Sequence, residues 1–244
     1  MTKPLENRKP LENRLALVSG ASRGIGADTA LALAKAGAHV ILTARTEGGL
    51  TEVEEKIHQA GGTASIAPLD LMNPDQIDGL AQHVAGRWGK LDILVLNAGQ
   101  LGTLSPLSHT PLKDWERVLA VNLTAPFRFL RAFDGLLRQS DKGRVIGISS
   151  SVATQPRAYW GPYAASKAAL ENLLDGYAEE VANVSSVRVA VVNPGATRTN
   201  MRKAAFPGED PQTLKTPDVV AEALVNLLVQ DFETRHRLTV TAKA

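Results

Sequence analysis

The chain contains no cysteine. This excludes disulfides, thiolate metal sites and a cysteine nucleophile, and it suits a reducing compartment. Aromatic residues are scarce, at 5%, so Val, Ile, Leu and Ala must build the core. An excess of charge is lacking too: 27 basic and 25 acidic residues leave a formal net charge of +2. That supplies no electrostatic argument for nucleic acid or an anionic membrane as a partner. No apolar run approaches the ~20 residues of a membrane span. The N-terminus carries Lys and Glu and lacks the apolar stretch of a secretory signal. A cytoplasmic location is therefore expected. The histidines (His39, His58, His83, His109, His236) have no metal-ligand spacing, so no metal is expected. Arg235-His236-Arg237 reads as a solvated end.

What is present is an ordinary globular composition, 44% hydrophobic and 21% charged over 244 residues. That length accommodates one large α/β domain or two small ones. A tandem hexapeptide opens the chain: Lys3-Pro-Leu-Glu-Asn-Arg8 repeats as Lys9-Pro-Leu-Glu-Asn-Arg14. Two polar copies of six cannot form a solenoid. Residues 1–14 therefore read as an extension, the second copy leading into the first strand.

From residue 15, apolar strands alternate with helical stretches. Strands are predicted at 15–19, 39–44, 63–69, 91–96, 143–149 and 187–193, with a weak seventh at 238–241. Helices are predicted at 24–36, 47–60, 74–88 and 217–230, and one carries Tyr163. A long helical stretch at 111–139 should be disturbed near Pro126. Strands of continuous Val/Ile/Leu character need cover on both faces. The pattern predicts one doubly wound Rossmann domain over residues 15–244, an α/β fold with about seven parallel strands and helices on both faces. Residues 198–216 form a long irregular insert with Phe206-Pro207-Gly208, either a binding loop or a plain surface loop.

Two local patterns carry chemistry. The first is Ser19-Gly20-Ala21-Ser22-Arg23-Gly24-Ile25-Gly26, between the first strand and the first helix. Gly20 permits the tight turn, Gly24 lets backbone approach a pyrophosphate, and Gly26 lets the helix pack on the strand. The helix N-terminus offers free N–H groups to phosphate. A structural glycine turn is the plainer alternative. No Gly-Lys-Ser/Thr closes the run, so it is not a P-loop. At the end of the second strand, where an acidic residue would bond a ribose 2′-OH, the chain has Arg45. With Arg23 it suits a 2′-phosphate, which favours NADP(H) over NAD(H).

The second pattern is Tyr163 with Lys167 four residues later on a helix, so the phenol and ammonium share a face. A nearby cation would pull the phenol's pKa down towards that of a usable acid/base. A tyrosine beside an unrelated surface lysine is the alternative for this pair alone.

With the glycine spacing Gly-x-x-x-Gly-x-Gly, the Tyr163-x-x-x-Lys167 pair resembles the short-chain dehydrogenase/reductase family, in particular its reductases of 3-oxoacyl thioesters. Other motifs follow in the family's order. Asn97-Ala98-Gly99 looks like its Asn-Asn-Ala-Gly turn, with Leu96 in place of the first Asn. Asp70-Leu71 sits where the family caps the adenine. Asn122 sits where it keeps a catalytic Asn. Pro194-Gly195 with Thr199 matches the motif that contacts the nicotinamide carboxamide, and Thr197 lies inside it. Ser149-Ser150-Ser151 ends the fifth strand; the usual interval of thirteen residues before the tyrosine selects Ser150, with Ser151 as fallback. The resemblance spans residue 15 to about 201. The chain departs from the family's glycine-rich tail, which puts that interface in doubt.

The resemblance implies hydride exchange between nicotinamide and a carbonyl or alcohol carbon. Tyr163 would exchange the proton, Lys167 would tune it and bond the ribose, and Ser150 would hold the substrate oxygen. Asn122 would anchor a water, unless it merely bonds backbone beside Pro126. Ser151, Tyr159, Trp160 and Phe206 are candidate pocket walls. A homodimer or homotetramer is implied, paired through the helices of Asn122 and Tyr163, with Leu170, Leu173 and Leu174 serving either that face or the core. The competing reading is a catalytically silent dinucleotide-binding protein, or an NAD-dependent alcohol dehydrogenase. A sugar-nucleotide epimerase is disfavoured by the glycine spacing and the lack of room for a substrate domain.

Overall fold

Seven short strands, the central ones aliphatic, form one parallel sheet. In the computed structural model, which describes residues 9–241, the strands are β1 (Leu15–Ser19), β2 (His39–Thr43), β3 (Thr63–Ile66), β4 (Ile93–Leu96), β5 (Arg144–Ile148), β6 (Arg188–Asn193) and β7 (His236–Thr239). Their order is β3-β2-β1-β4-β5-β6-β7. Every residue of β1, β4 and β5 is buried, which requires a sheet covered on both faces. The helices are α1 (Gly24–Lys35), α2 (Glu47–Gln59), α3 (Pro74–Trp88), α4 (Leu112–Leu119), α5 (Ala125–Arg138), α6 (Gly161–Ala182), α7 (Asn200–Ala205) and α8 (Pro217–Val229).

Strand alternation divides the core in two. Val18 and Val40 face one side and pack with Leu33, Leu50 and Leu224 of α1, α2 and α8. Leu17 and Leu94 face the other, with Ile77, Phe133 and Leu174 of α3, α5 and α6. The strand order reverses between β1 and β4. In such sheets the crevice outside the strands' C-terminal ends at that point is where ligands bind.

The fold class agrees with the expectation, and several details differ. β3 is assigned only to Ile66. The chain still follows β2 beyond it, through Ala67 N–H to Leu42 O and Leu69 N–H to Ala44 O, and Pro68 between them has no N–H to give. β7 starts two residues earlier than predicted. The disturbance in the long helical stretch is a π-type turn at Ala120–Thr124, just ahead of Pro126, which cannot donate back to its i−4 carbonyl. The insert 198–216 is not irregular: it begins with α7, capped by the Thr199 side chain accepting the Arg202 N–H. Leu170 and Leu174 lie in the core of this chain, and Leu173 packs against it, so core burial accounts for them.

The second hexapeptide copy is docked. Leu11 is buried, its N–H donates to Ala36 O, and Arg14 donates to Asp92 at 3.0 Å. The first copy, residues 3–8, lies outside the described residues, as do residues 242–244.

Candidate active site

The glycine turn and the turn after β4 are locked together. The Asn97 amide donates to Ser19 O at 2.9 Å and Gly20 O at 3.2 Å. Ser19 Oγ in turn accepts the N–H groups of Asn97 and Ala98. Gly20 and Gly24 have φ of 68° and 58°, which favours glycine. A Cβ on Gly26 would lie 2.3 Å from Gly20 O and 2.4 Å from the Asn97 amide nitrogen. Gly26 is thus a packing contact holding α1 against the turn, and it does not line the cavity. At the α1 N-terminus, Arg23 gives no side-chain cap and the first turn has no acid. Its N–H groups are therefore available to an anion.

These turns open one cavity of about 920 Å³, at the upper end of the size of small-molecule sites. Ser22, Arg23, Gly24, Ile25, Arg45, Asp70, Leu71, Asn97, Ala98, Gly99, Pro194, Gly195, Thr197 and Thr199 all line it, as do Gly20, Ser150, Ser151, Trp160, Tyr163 and Lys167. Arg23 and Arg45 are exposed and have no acidic partner among the described residues. Thr199 closes over the phosphate end, its methyl 3.5 Å from where a Cβ of Gly24 would sit.

β5 and α6 assemble the chemical end. Ser149 and Ser150 diverge as the strand ends: Ser149 donates to Glu171 at 2.5 Å, whereas the Ser150 hydroxyl accepts the Val152 N–H at 3.5 Å and lies near enough to Tyr163 to lower the phenol's pKa. Tyr163 is 7% exposed. Burial pushes its pKa up to about 12, with the Ser150 hydrogen bond opposing. Lys167 is 3% exposed and donates to Ile148 O at 2.7 Å. Burial lowers its pKa to about 8, opposed by Glu171. Its Nζ is 5.8 Å from the Tyr163 ring centroid. The two groups do share a face. Burial, however, and not the nearby ammonium, sets the direction of the phenol's shift.

Two sequence expectations are corrected, those of Tyr159 and Phe206 as pocket walls. The Asn122 side chain does not line the cavity. Its Oδ1 accepts Gln100 N–H at 2.7 Å, and its amide donates to Gln100 O at 2.9 Å and to Ser166 Oγ at 3.0 Å. It tethers the loop after β4 to α6. Tyr159 is 58% exposed and is not a pocket wall; only its carbonyl is engaged, by Ser105 N–H. Phe206 stands behind the wall, its ring 5.7 Å from that of Trp160. Sequence reasoning missed Leu101, Arg117 and Arg157, which line the cavity but belong to no motif.

The chain is similar to known proteins. A family model described as short chain dehydrogenase matches residues 14–210. The chain is 40% identical to the Escherichia coli protein named "Uncharacterized oxidoreductase YciK", over 94% of this chain and 92% of that one. It is 36% identical to the 3-oxoacyl-acyl-carrier-protein reductase FabG of Vibrio cholerae, over 78% and 76%. A Shigella flexneri short chain dehydrogenase crystallised with NADP superposes with a TM-score of 0.90 at 38% identity, over 96% of this chain and 99% of that one.

Proposed function

The chain belongs to the short-chain dehydrogenase family of oxidoreductases, and on that premise we propose that it interconverts a carbonyl and an alcohol with NADP(H), Tyr163 handling the proton. The observation that carries this reading is that Ser150, Tyr163 and Lys167 line the same cavity as the glycine turn. When bound, the nicotinamide supplies or accepts the hydride. The free N–H groups of α1 would take the pyrophosphate, and Arg23 and Arg45 the 2′-phosphate.

In the reducing direction the Tyr163 phenol donates its proton to the substrate oxygen as charge develops there. Its pKa of about 12 keeps it protonated at neutral pH, the form a donor requires. Ser150 donates a hydrogen bond to the same oxygen. The Lys167 ammonium, held by the Ile148 carbonyl, stabilises the phenolate that remains. Hydride on carbon and proton on oxygen together turn C=O into CH–OH. In the oxidising direction Tyr163 must start as phenolate, so that rate rises with pH.

NADPH oxidation against a panel of ketones tests the reading. Tyr163→Phe is expected to lower kcat at least ~100-fold with NADPH affinity kept. Retained turnover would remove Tyr163 from the chemistry. Tighter binding of NADH than of NADPH would overturn the cofactor assignment. The NADP bound by the Shigella flexneri relative supports it.

A further inference from the structure

Six arginines line the cavity: Arg23, Arg45, Arg117, Arg157, Arg198 and Arg202. Arg23 and Arg45 stand at the glycine turn and the end of β2, where phosphates account for them. Arg198 precedes Thr199, which packs over Gly24, and belongs to the same end. Arg202 donates to Glu209 at 2.6 Å and its guanidinium lies 3.8 Å from the centre of the Phe206 ring. Arg117 and Arg157 remain unexplained.

Both belong to the chemical end. Arg117 is on α4 beside Val118, whose Cγ2 would be 2.7 Å from a Cβ on Gly102 in the loop after β4. Arg157 is in the segment between Ser150 and Tyr163, and its carbonyl accepts the Trp160 N–H. The Trp160 ring stands 5.8 Å from the Tyr163 ring. Both arginine side chains are exposed, and neither has an acidic partner among the described residues. The carboxylates lining the cavity, Asp28 and Asp70, are on α1 and after β3, towards the other end.

Two cations left without counter-charge in a concave site attract and hold an anion. Guanidinium geometry matches an oxyanion, with two parallel N–H donors. We propose that Arg117 and Arg157 form an anion subsite, and that the substrate is a carbonyl compound, or its alcohol, carrying a carboxylate or phosphate away from the reacting carbon. The inference rests on Ser150 and Tyr163 being the pair that binds the carbonyl oxygen.

The test uses two matched pairs of probes: levulinate with its methyl ester, and dihydroxyacetone phosphate with dihydroxyacetone. Turnover is followed with NADPH, and the Kd of each probe is measured on NADP-loaded protein, both at low ionic strength where screening is weakest. The charged member of at least one pair is expected to bind roughly tenfold tighter, and the pair that shows this separates carboxylate from phosphate. The double variant Arg117→Gln/Arg157→Gln is expected to erase the advantage without changing NADPH affinity. Equal or tighter binding of the neutral member in both pairs overturns the proposal, and so does a preference that survives the double variant. Anion preference without oxidation of NADPH by any probe keeps the subsite and counts against the oxidoreductase reading instead.

Discussion

Replacing Lys167 by Met is expected to stabilise the fold at neutral pH while removing activity. The ammonium is 3% exposed and has one hydrogen bond, to Ile148 O. Burial lowers its pKa from 10.5 to about 8, with Glu171 compensating only in part. The folded pKa is below the unfolded one, so the native state holds this proton less tightly. Below pH 8 both states are protonated and the fold bears the whole cost, about 3 kcal/mol. Between pH 8 and 10.5 the folded lysine loses its proton first and the cost fades, to about 1 kcal/mol at pH 9.5. Methionine removes the charge but also a donor from the Ile148 carbonyl, a loss of about 1–2 kcal/mol. The variant should therefore gain about 1–2 kcal/mol at pH 7, and its advantage should shrink by about 2 kcal/mol at pH 9.5. Urea unfolding at the two pH values, without added cofactor, measures both quantities. Folded Tyr163, at about 12, stays protonated at both pH values, and its ionisation in the unfolded chain is common to both proteins, so it drops out of the difference. A variant less stable than wild type at pH 7, or a difference that ignores pH, would refute the cost assigned to the buried ammonium. The expected outcome is a trade between stability and function at one residue.

Three further substitutions test the site's construction. Ser150→Ala should lower kcat by about 10²–10³, while Ser149→Ala, whose hydroxyl is bound to Glu171, should leave kcat within a few-fold; steady-state kinetics showing the reverse would move the oxygen-binding role to Ser149. Asn122→Ala leaves both polar groups of Gln100 without their partner, so urea unfolding should show a loss of about 2–4 kcal/mol, and unchanged stability would deny the tether. Gly26→Ala places a methyl 2.3 Å from Gly20 O, forcing α1 off the turn. NADPH fluorescence titration should then show at least roughly tenfold weaker binding, and an unaltered Kd would show that the turn tolerates the shift.

The features legible in the sequence are those whose cause is local. Gly20 and Gly24 are readable because a left-handed backbone conformation favours glycine. Tyr163 and Lys167 are readable because helical spacing alone puts them on one face. The parallel sheet is readable because β1, β4 and β5 are dominated by Val, Ile and Leu and buried throughout, as a sheet covered on both faces requires. What stayed hidden depends on where distant segments land. Tyr159 and Trp160 are adjacent in sequence, yet only Trp160 faces the cavity; Tyr159, at φ 73°, remains exposed. The Asn122 amide could have served water or backbone, and the answer lay 22 residues upstream, at Gln100.

Burial likewise sets the direction of the Tyr163 pKa, which helical spacing alone does not reveal. Spacing reveals that a cation is near, but not that both groups are dry. In water, an ammonium one helical turn away would lower the phenol's pKa modestly. Inside, each group first loses its own hydration, and that loss acts on Tyr163 and Lys167 in opposite directions, up to about 12 and down to about 8. The two values are closer to each other's normal range than to their own, which makes the site a poor place for phenolate and an adequate one for a neutral phenol. A phenol held at about 12 is protonated at neutral pH, the form in which it can give a proton to a developing alkoxide.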